Sequence, residues 1–135
     1  MILYKIMHFM YNKKCMIISR MLQYFIRIIY SCELPPSVII GKGTLFVHNG
    51  LGCVIHHKAI IGNNCRIYQN VTIGGRHNRG VPKIGDNVFI GAGACVLGGV
   101  NIKANAKIGA NAVVVNDIEF GGGAVGIPAK VIKYE

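Results

Sequence analysis

Two histidines stand where an otherwise regular sequence breaks its rhythm. Apolar residues recur every six positions through most of the chain, but nine positions separate Phe46 from Ile55 and eleven separate Ile73 from Ile84. The first excursion carries His48; the second, Gly74 to Lys83, carries His77 between Arg76 and Arg79. An imidazole titrates near neutrality, so it can take the proton from a hydroxyl that is otherwise a poor nucleophile. Both histidines are therefore candidate general bases, set against the plainer reading of a surface histidine in a turn. Cys53 shares the first excursion and could in principle carry an acyl group, although filling space is the simpler expectation. His8, His56 and His57 have no such context and are expected to face solvent.

The repeat is what must position these residues. Ile84, Ile90, Val96, Ile102, Ile108 and Val114 form one register, and Val88, Ala94, Val100, Ala106, Ala112 and Ile118 follow four residues behind. The same grid runs earlier through Ile55, Ile61, Ile67 and Ile73, with Ala59, Cys65 and Val71 beside it. A helix would scatter a six-residue period around its circumference. A short strand plus a turn fits it, with the first residue of each repeat inward and Gly, Asn or Asp at the corners. Three such repeats close a triangular coil, and coils stack about 4.8 Å apart.

Residues 1–34 differ in kind. Ile18, Met21, Leu22, Phe25, Ile28 and Ile29 follow the spacing of an amphipathic helix, with Arg20 and Arg27 on another face. Ser31 to Pro36 should stop it. Lys5, Lys13, Lys14, Arg20 and Arg27 interrupt every apolar run before it could span a bilayer. Two readings follow for this segment: helices that cap one end of the main domain, or an interfacial helix on an anionic membrane. Fifteen Lys+Arg against five Asp+Glu give a formal charge of +10, which suits an anionic partner without choosing among nucleic acid, lipid and a phosphorylated cofactor. The 52% hydrophobic content suggests apolar surface hidden against other copies or a membrane. Cys15, Cys32, Cys53, Cys65 and Cys95 show no paired spacing and read as small buried residues in a reducing compartment. With no secretory signal pattern at the start, a cytoplasmic location is expected, with room for contact at the inner membrane face.

The stretches IGKGTLFVHNGLGCVIHHKAIIGNNCRIYQNVTIGG, PKIGDNVFIGAGACVLGGV and GIPAKVIK carry a resemblance. Residues 33 to 133 resemble the serine acetyltransferase branch of the hexapeptide-repeat acyltransferases, together with its polysaccharide-modifying relatives. The resemblance implies an all-β fold, a single-stranded left-handed parallel β-helix with short N-terminal helices: a helical segment over 1–34 and the acetyltransferase domain over 35–135. The left-handedness comes from the resemblance alone, since crossovers are ordinarily right-handed. His48 falls on the family's catalytic histidine, whose H-x-x-G surroundings carry one extra residue here before the next rung, with glycines at 50 and 52. Gly74 and Gly75 match glycines beside the pantetheine arm, Ala92, Gly93 and Ala110 match main-chain contacts to CoA, and Lys130 and Lys133 match basic residues near its phosphates. Glu33 aligns with an acidic residue near the acceptor; a plain strand-edge carboxylate is the alternative. The implied chemistry is acetyl transfer from acetyl-CoA with no metal, in a homotrimer whose clefts lie between neighbouring columns.

The departures bear on the acceptor. The family's acidic residue just before the catalytic histidine is Val47 here, and its second active-site histidine, just before P-K-I, is Val81, with His77 four residues earlier. The family's long helical N-terminal domain is not matched. These differences point to a sugar hydroxyl of a capsule, lipopolysaccharide or related glycan, with serine as the alternative. A catalytically inactive scaffold at a membrane surface is the reading from another class. A zinc-dependent carbonic anhydrase on the same column would need three converging histidines, and nothing but charge suggests nucleic acid.

Overall fold

The computed structural model describes residues 2–132. The six-residue period becomes a three-sided column, each repeat supplying a strand of two or three residues and one corner. The first face stacks β1 (Ile39–Ile40), β4 (Ile60–Ile61), β7 (Lys83–Ile84) and β10 (Asn101–Ile102). The second stacks β2 (Leu45–Phe46), β5 (Arg66–Ile67), β8 (Phe89–Ile90), β11 (Lys107–Ile108) and β13 (Gly123–Val125), and ends on β14 (Lys130–Ile132). The third stacks β3 (Val54–Ile55), β6 (Thr72–Gly74), β9 (Cys95–Leu97) and β12 (Val113–Val114). Pairing is parallel and keeps like residues above one another, as in Ile67, Ile90 and Ile108, until the antiparallel β13–β14 hairpin closes the stack.

The interior is the one the period predicts. Ile55, Ile61, Ile67, Ile73, Ile84, Ile90, Val96, Ile102, Ile108 and Val114 are all at most 3% exposed, and Ala59, Cys65, Val71, Val88, Ala94, Ala106 and Ala112 fill the second register. Asn64, Asn70, Asn87, Asn105 and Asn111 take left-handed backbone at the corners, a conformation whose cost is lowest for Asn among residues with a Cβ. The glycine after the inward aliphatic has a different cause. A Cβ on Gly62 would lie 2.4 Å from Asp86 Oδ1 and 2.6 Å from the Gly85 carbonyl carbon, so the limit there is the close approach of successive coils.

Two helices cover one end of the column. α1 (Ile2–Asn12) and α2 (Met16–Tyr30) form a hairpin, with Ser31 in left-handed conformation closing α2. Tyr4 donates its hydroxyl proton to the Val38 carbonyl, and His8 Nδ1 lies 2.7 Å from the Pro36 carbonyl oxygen. Glu33, just before the column's first strand, makes an isolated parallel bridge with Val54. The amphipathic period of α2 holds, and most of its apolar stripe faces away from the core. Ile18, Met21, Phe25, Ile28 and Ile29 are 46–79% exposed, and α2 instead buries Ser19 and Ile26. Ser19 donates to the Met7 carbonyl of α1 at 3.3 Å, so the close crossing of the helices takes a small residue there.

Candidate active site

His48 is presented by a short 3₁₀ turn, Val47–Gly50, that follows β2. Phe46 anchors the turn from inside, and buried Gly50 packs against Phe46 and Cys32 Sγ at its far end. Between them His48 (φ 55°, ψ 35°) and Asn49 (φ 56°, ψ 24°) both adopt left-handed backbone. Consecutive left-handed residues with a Cβ are uncommon and collect at functional turns. The result is an exposed imidazole at the edge between the second and third faces.

That edge continues down the column. Below His48 come corners 68–70, 91–94 and 109–112, and then the turn of the C-terminal hairpin, where the Val113 N–H donates to the Gly126 carbonyl at 3.0 Å and the Ala129 N–H to the Val113 carbonyl at 2.9 Å. His48, Ala92, Gly93, Ala110 and Lys130 therefore share one edge, which descends by about 19 Å over four coil steps. This suits an extended ligand with an anionic end. Two of the expected main-chain contacts are already engaged: the Gly93 N–H donates to the Gln69 carbonyl at 3.0 Å, and the Ala92 carbonyl accepts from the Asn111 N–H at 2.9 Å. Those atoms hold coils together. A feature that the sequence did not single out is Gln69, one coil below His48, whose side-chain Oε1 is buried with no hydrogen-bond partner in the structure. Such an orphaned acceptor suits a ligand amide N–H, of which pantetheine has two. Lys133 lies outside the described residues.

Glu33 heads the third face and is held from α2. Gln23 Nε2 donates to Glu33 Oε1 at 3.1 Å, and Arg27 Nη1 stands 3.1 Å from Oε2 as an ion pair without a directed hydrogen bond. Arg27 is largely exposed, so the pair orients the carboxylate more than it stabilises the fold. Arg27, Ser31, Glu33 and Val54 line an open cleft of about 540 Å³. No sequence spacing connects Gln23 and Arg27 to Glu33, because the hairpin's angle to the column brings them together.

Gly74, Gly75 and His77 lie elsewhere. They follow the third face whereas His48 precedes it, so in one chain they occupy the opposite edge of the same sheet. His77 is exposed with φ 40°, and the loop folds back on the next corner through the Gly99 N–H to the Arg79 carbonyl at 2.6 Å. His56 shares this second edge, and its ring atoms would be 3.9 Å from a Cβ on Gly75. It was expected to face solvent but is half-buried, with its ring stacked on His57 at 4.3 Å and Nδ1 accepting the Lys58 N–H at 3.1 Å. Desolvation, then the neighbouring charges of His57 and Lys58, hold its pKa below the ordinary histidine value. The signal that could have found it is its place on the coil directly above Gly75.

Cys53 is buried and donates to the Tyr68 carbonyl at 3.2 Å, and burial pushes its thiol pKa up. Burial pushes neighbouring Cys32 up to about 12. A raised pKa keeps the thiol protonated at neutral pH, which opposes a role as nucleophile. In the native protein, iodoacetamide at pH 7.5 should label exposed Cys15 and spare Cys53; rapid carboxymethylation of Cys53, read by peptide mass spectrometry, would reopen an acyl-cysteine route. Among the described residues no three His, Cys, Asp or Glu side chains converge as a metal site would require.

Residues 82–116 match the family described as bacterial transferase hexapeptide (six repeats). A serine acetyltransferase of Staphylococcus xylosus is 41% identical over 133 residues, covering 96% of this chain and 61% of its own length. The chain is similar to the hexapeptide-repeat acyltransferases, and among them to the serine acetyltransferase-like branch. Among solved structures, soybean serine acetyltransferase complexed with serine superimposes with a TM-score of 0.89 at 38% identity, covering 96% of this chain and 54% of that one. Serine acetyltransferase from Brucella abortus in complex with coenzyme A gives 0.91 at 28%, covering 97% and 53%. A coil of opposite hand would not superimpose this closely, so the winding is left-handed, as the resemblance implied. The chain spans just over half to about 60% of these relatives' lengths. Serine is in their names; the sugar acceptor and polysaccharide role expected from Val47 and Val81 find no support in them.

Proposed function

We propose that the chain transfers an acetyl group from acetyl-CoA to the hydroxyl of serine. The observation that carries this reading is the close match of nearly the whole chain to serine acetyltransferases, two of them in complexes with serine and with coenzyme A, with His48 presented on strained backbone at one edge. Acetyl-CoA supplies the activated thioester. His48 takes the hydroxyl proton as the acceptor oxygen bonds to the acetyl carbonyl and CoA departs as its thiol. Gln69 accepts a pantetheine N–H, and Lys130 faces the phosphates. Val47 cannot grip an ammonium group, so that task falls to Glu33, oriented by Gln23 and Arg27.

The decisive experiment follows acetyl-CoA consumption with L-serine beside a panel of free and nucleotide-linked sugars. Turnover is expected with serine; turnover with a sugar alone would return the acceptor to the glycan class, and none with any acceptor, together with failure to bind CoA, would favour the inactive scaffold.

Two opposite edges of one sheet meet only if columns pack side by side. Three copies would set the His48 edge of one chain against the Gly74–Gly75 edge of the next. Light scattering should give the mass of three chains at micromolar concentration, and a stable, active monomer would end the shared-site reading.

Lys130→Ala should raise the KM for acetyl-CoA several-fold and leave kcat nearly unchanged, because the charge acts far from the reacting carbonyl. A shielded charge-assisted contact contributes about 1.5–3 kcal/mol, and exposed Lys130 belongs at or below the lower end. An unchanged KM would remove it from the site.

A further inference from the structure

The helical hairpin has a surface that the acetyl-transfer site does not use. With 100° between successive residues, α2 turns Ser19, Leu22 and Ile26 inward, Ser19 against α1, and Ile17, Met21, Phe25 and Ile28 outward. The four outward residues are 57–79% exposed. α1 repeats the arrangement, burying Tyr4 and Met7 while Ile2 and Phe9 stand 78% and 58% exposed. Isolated exposed apolar residues are ordinary, but a continuous stripe on the outer side of a helix marks a contact surface.

Charge indicates what covers it. Residues 2–32 contain Lys5, Lys13, Lys14, Arg20 and Arg27 and no Asp or Glu, and only Arg27 has an acidic partner, Glu33. Arg20 sits at the edge of the apolar stripe and lines a cleft of about 320 Å³ with Met16, Ile17 and Tyr11. Packing two such hairpins together would oppose cations with no carboxylate between them, whereas a surface with acyl chains below and phosphates above answers both features. No helix among the described residues is long and apolar enough to cross a bilayer, so α2 would lie in the interfacial plane. We propose that the outer face of the α1–α2 hairpin docks on an anionic phospholipid membrane, with Phe25 and Ile28 entering the acyl boundary and Arg20, Lys13 and Lys14 meeting lipid phosphates.

The test is co-sedimentation of the full chain with phosphatidylcholine vesicles, with and without phosphatidylglycerol. Binding should require phosphatidylglycerol and weaken as salt is added. Arg20→Glu combined with Lys14→Glu should lower the partition coefficient by about tenfold or more, since each cation near an anionic surface contributes roughly fivefold. Phe25→Asp with Ile28→Asp, at exposed positions, should abolish binding while circular dichroism stays unchanged. Equal recovery with both vesicle types, or none with either, would overturn the proposal. So would an aspartate variant that still binds phosphatidylglycerol vesicles but loses mass in light scattering, because a second copy would then own this face. The readout is independent of catalysis.

Discussion

Replacing His48 by Asn is expected to lower kcat by about 10²–10⁴-fold, the usual contribution of a positioned general base, while the protein folds as before. The choice of Asn matters. His48 holds φ 55° and ψ 35°, a region Asn enters more readily than Ala does, so lost activity can be separated from backbone strain. The side chain is exposed, and its removal opens no cavity. The KM for acetyl-CoA should move little, because the cofactor's length is held by the edge below. His77→Ala is expected to cost less: His77 stands on the exposed long loop, on the opposite edge from His48 within its own chain. Single-turnover assays of both variants decide the assignment. Full activity in His48→Asn with none in His77→Ala would transfer the base to the loop.

Ile90→Ala should destabilise the column by about 2–5 kcal/mol, the range for truncating a fully buried aliphatic residue. Ile90 is 0% exposed and sits between Ile67 and Ile108, its register partners above and below. The narrow three-sided interior lets few side chains move in to fill the void, and each coil is stabilised mainly by its neighbours. Against a total stability of about 5–15 kcal/mol for a typical domain, such a loss is severe. Ile28→Ala on the outer face of α2, 79% exposed, should change stability by less than about 0.5 kcal/mol. Urea titration compares the two: the midpoint should drop for Ile90→Ala with the slope kept. Equal effects would mean that the outer face of α2 is as buried in solution as the core.

The column was legible because its period is a one-dimensional signal. A residue six places from Ile84 must fall on the next side of the triangle and point inward, whatever lies around it, and Ile90 does so. His48 and the long loop were legible as interruptions, since extra residues in a stacked coil can only project from it. Helix α2 shows the limit. Its period of 3.6 was plain, yet the richer apolar stripe lies outside, because a period says which residues share a face and not which face a partner takes. Gln69 lacked any signal of its own, and His56 looked like any polar corner residue until its coil was set above Gly75.

The sequence by itself determined the inward register of every coil, the excursions that carry His48 and His77, and the basic character of the N-terminal hairpin, because all of these depend on spacing and composition along one chain. The tertiary structure decided which edge each functional group occupies. It separated His48 from Gly74 and Gly75 by the width of a face, engaged the Gly93 N–H and Ala92 carbonyl in the stack, and brought Gln23 and Arg27 of α2 onto Glu33. The physical reason is that edges arise from the closure of the coil and from the angle of the hairpin against it, and both are set by contacts between residues far apart in sequence.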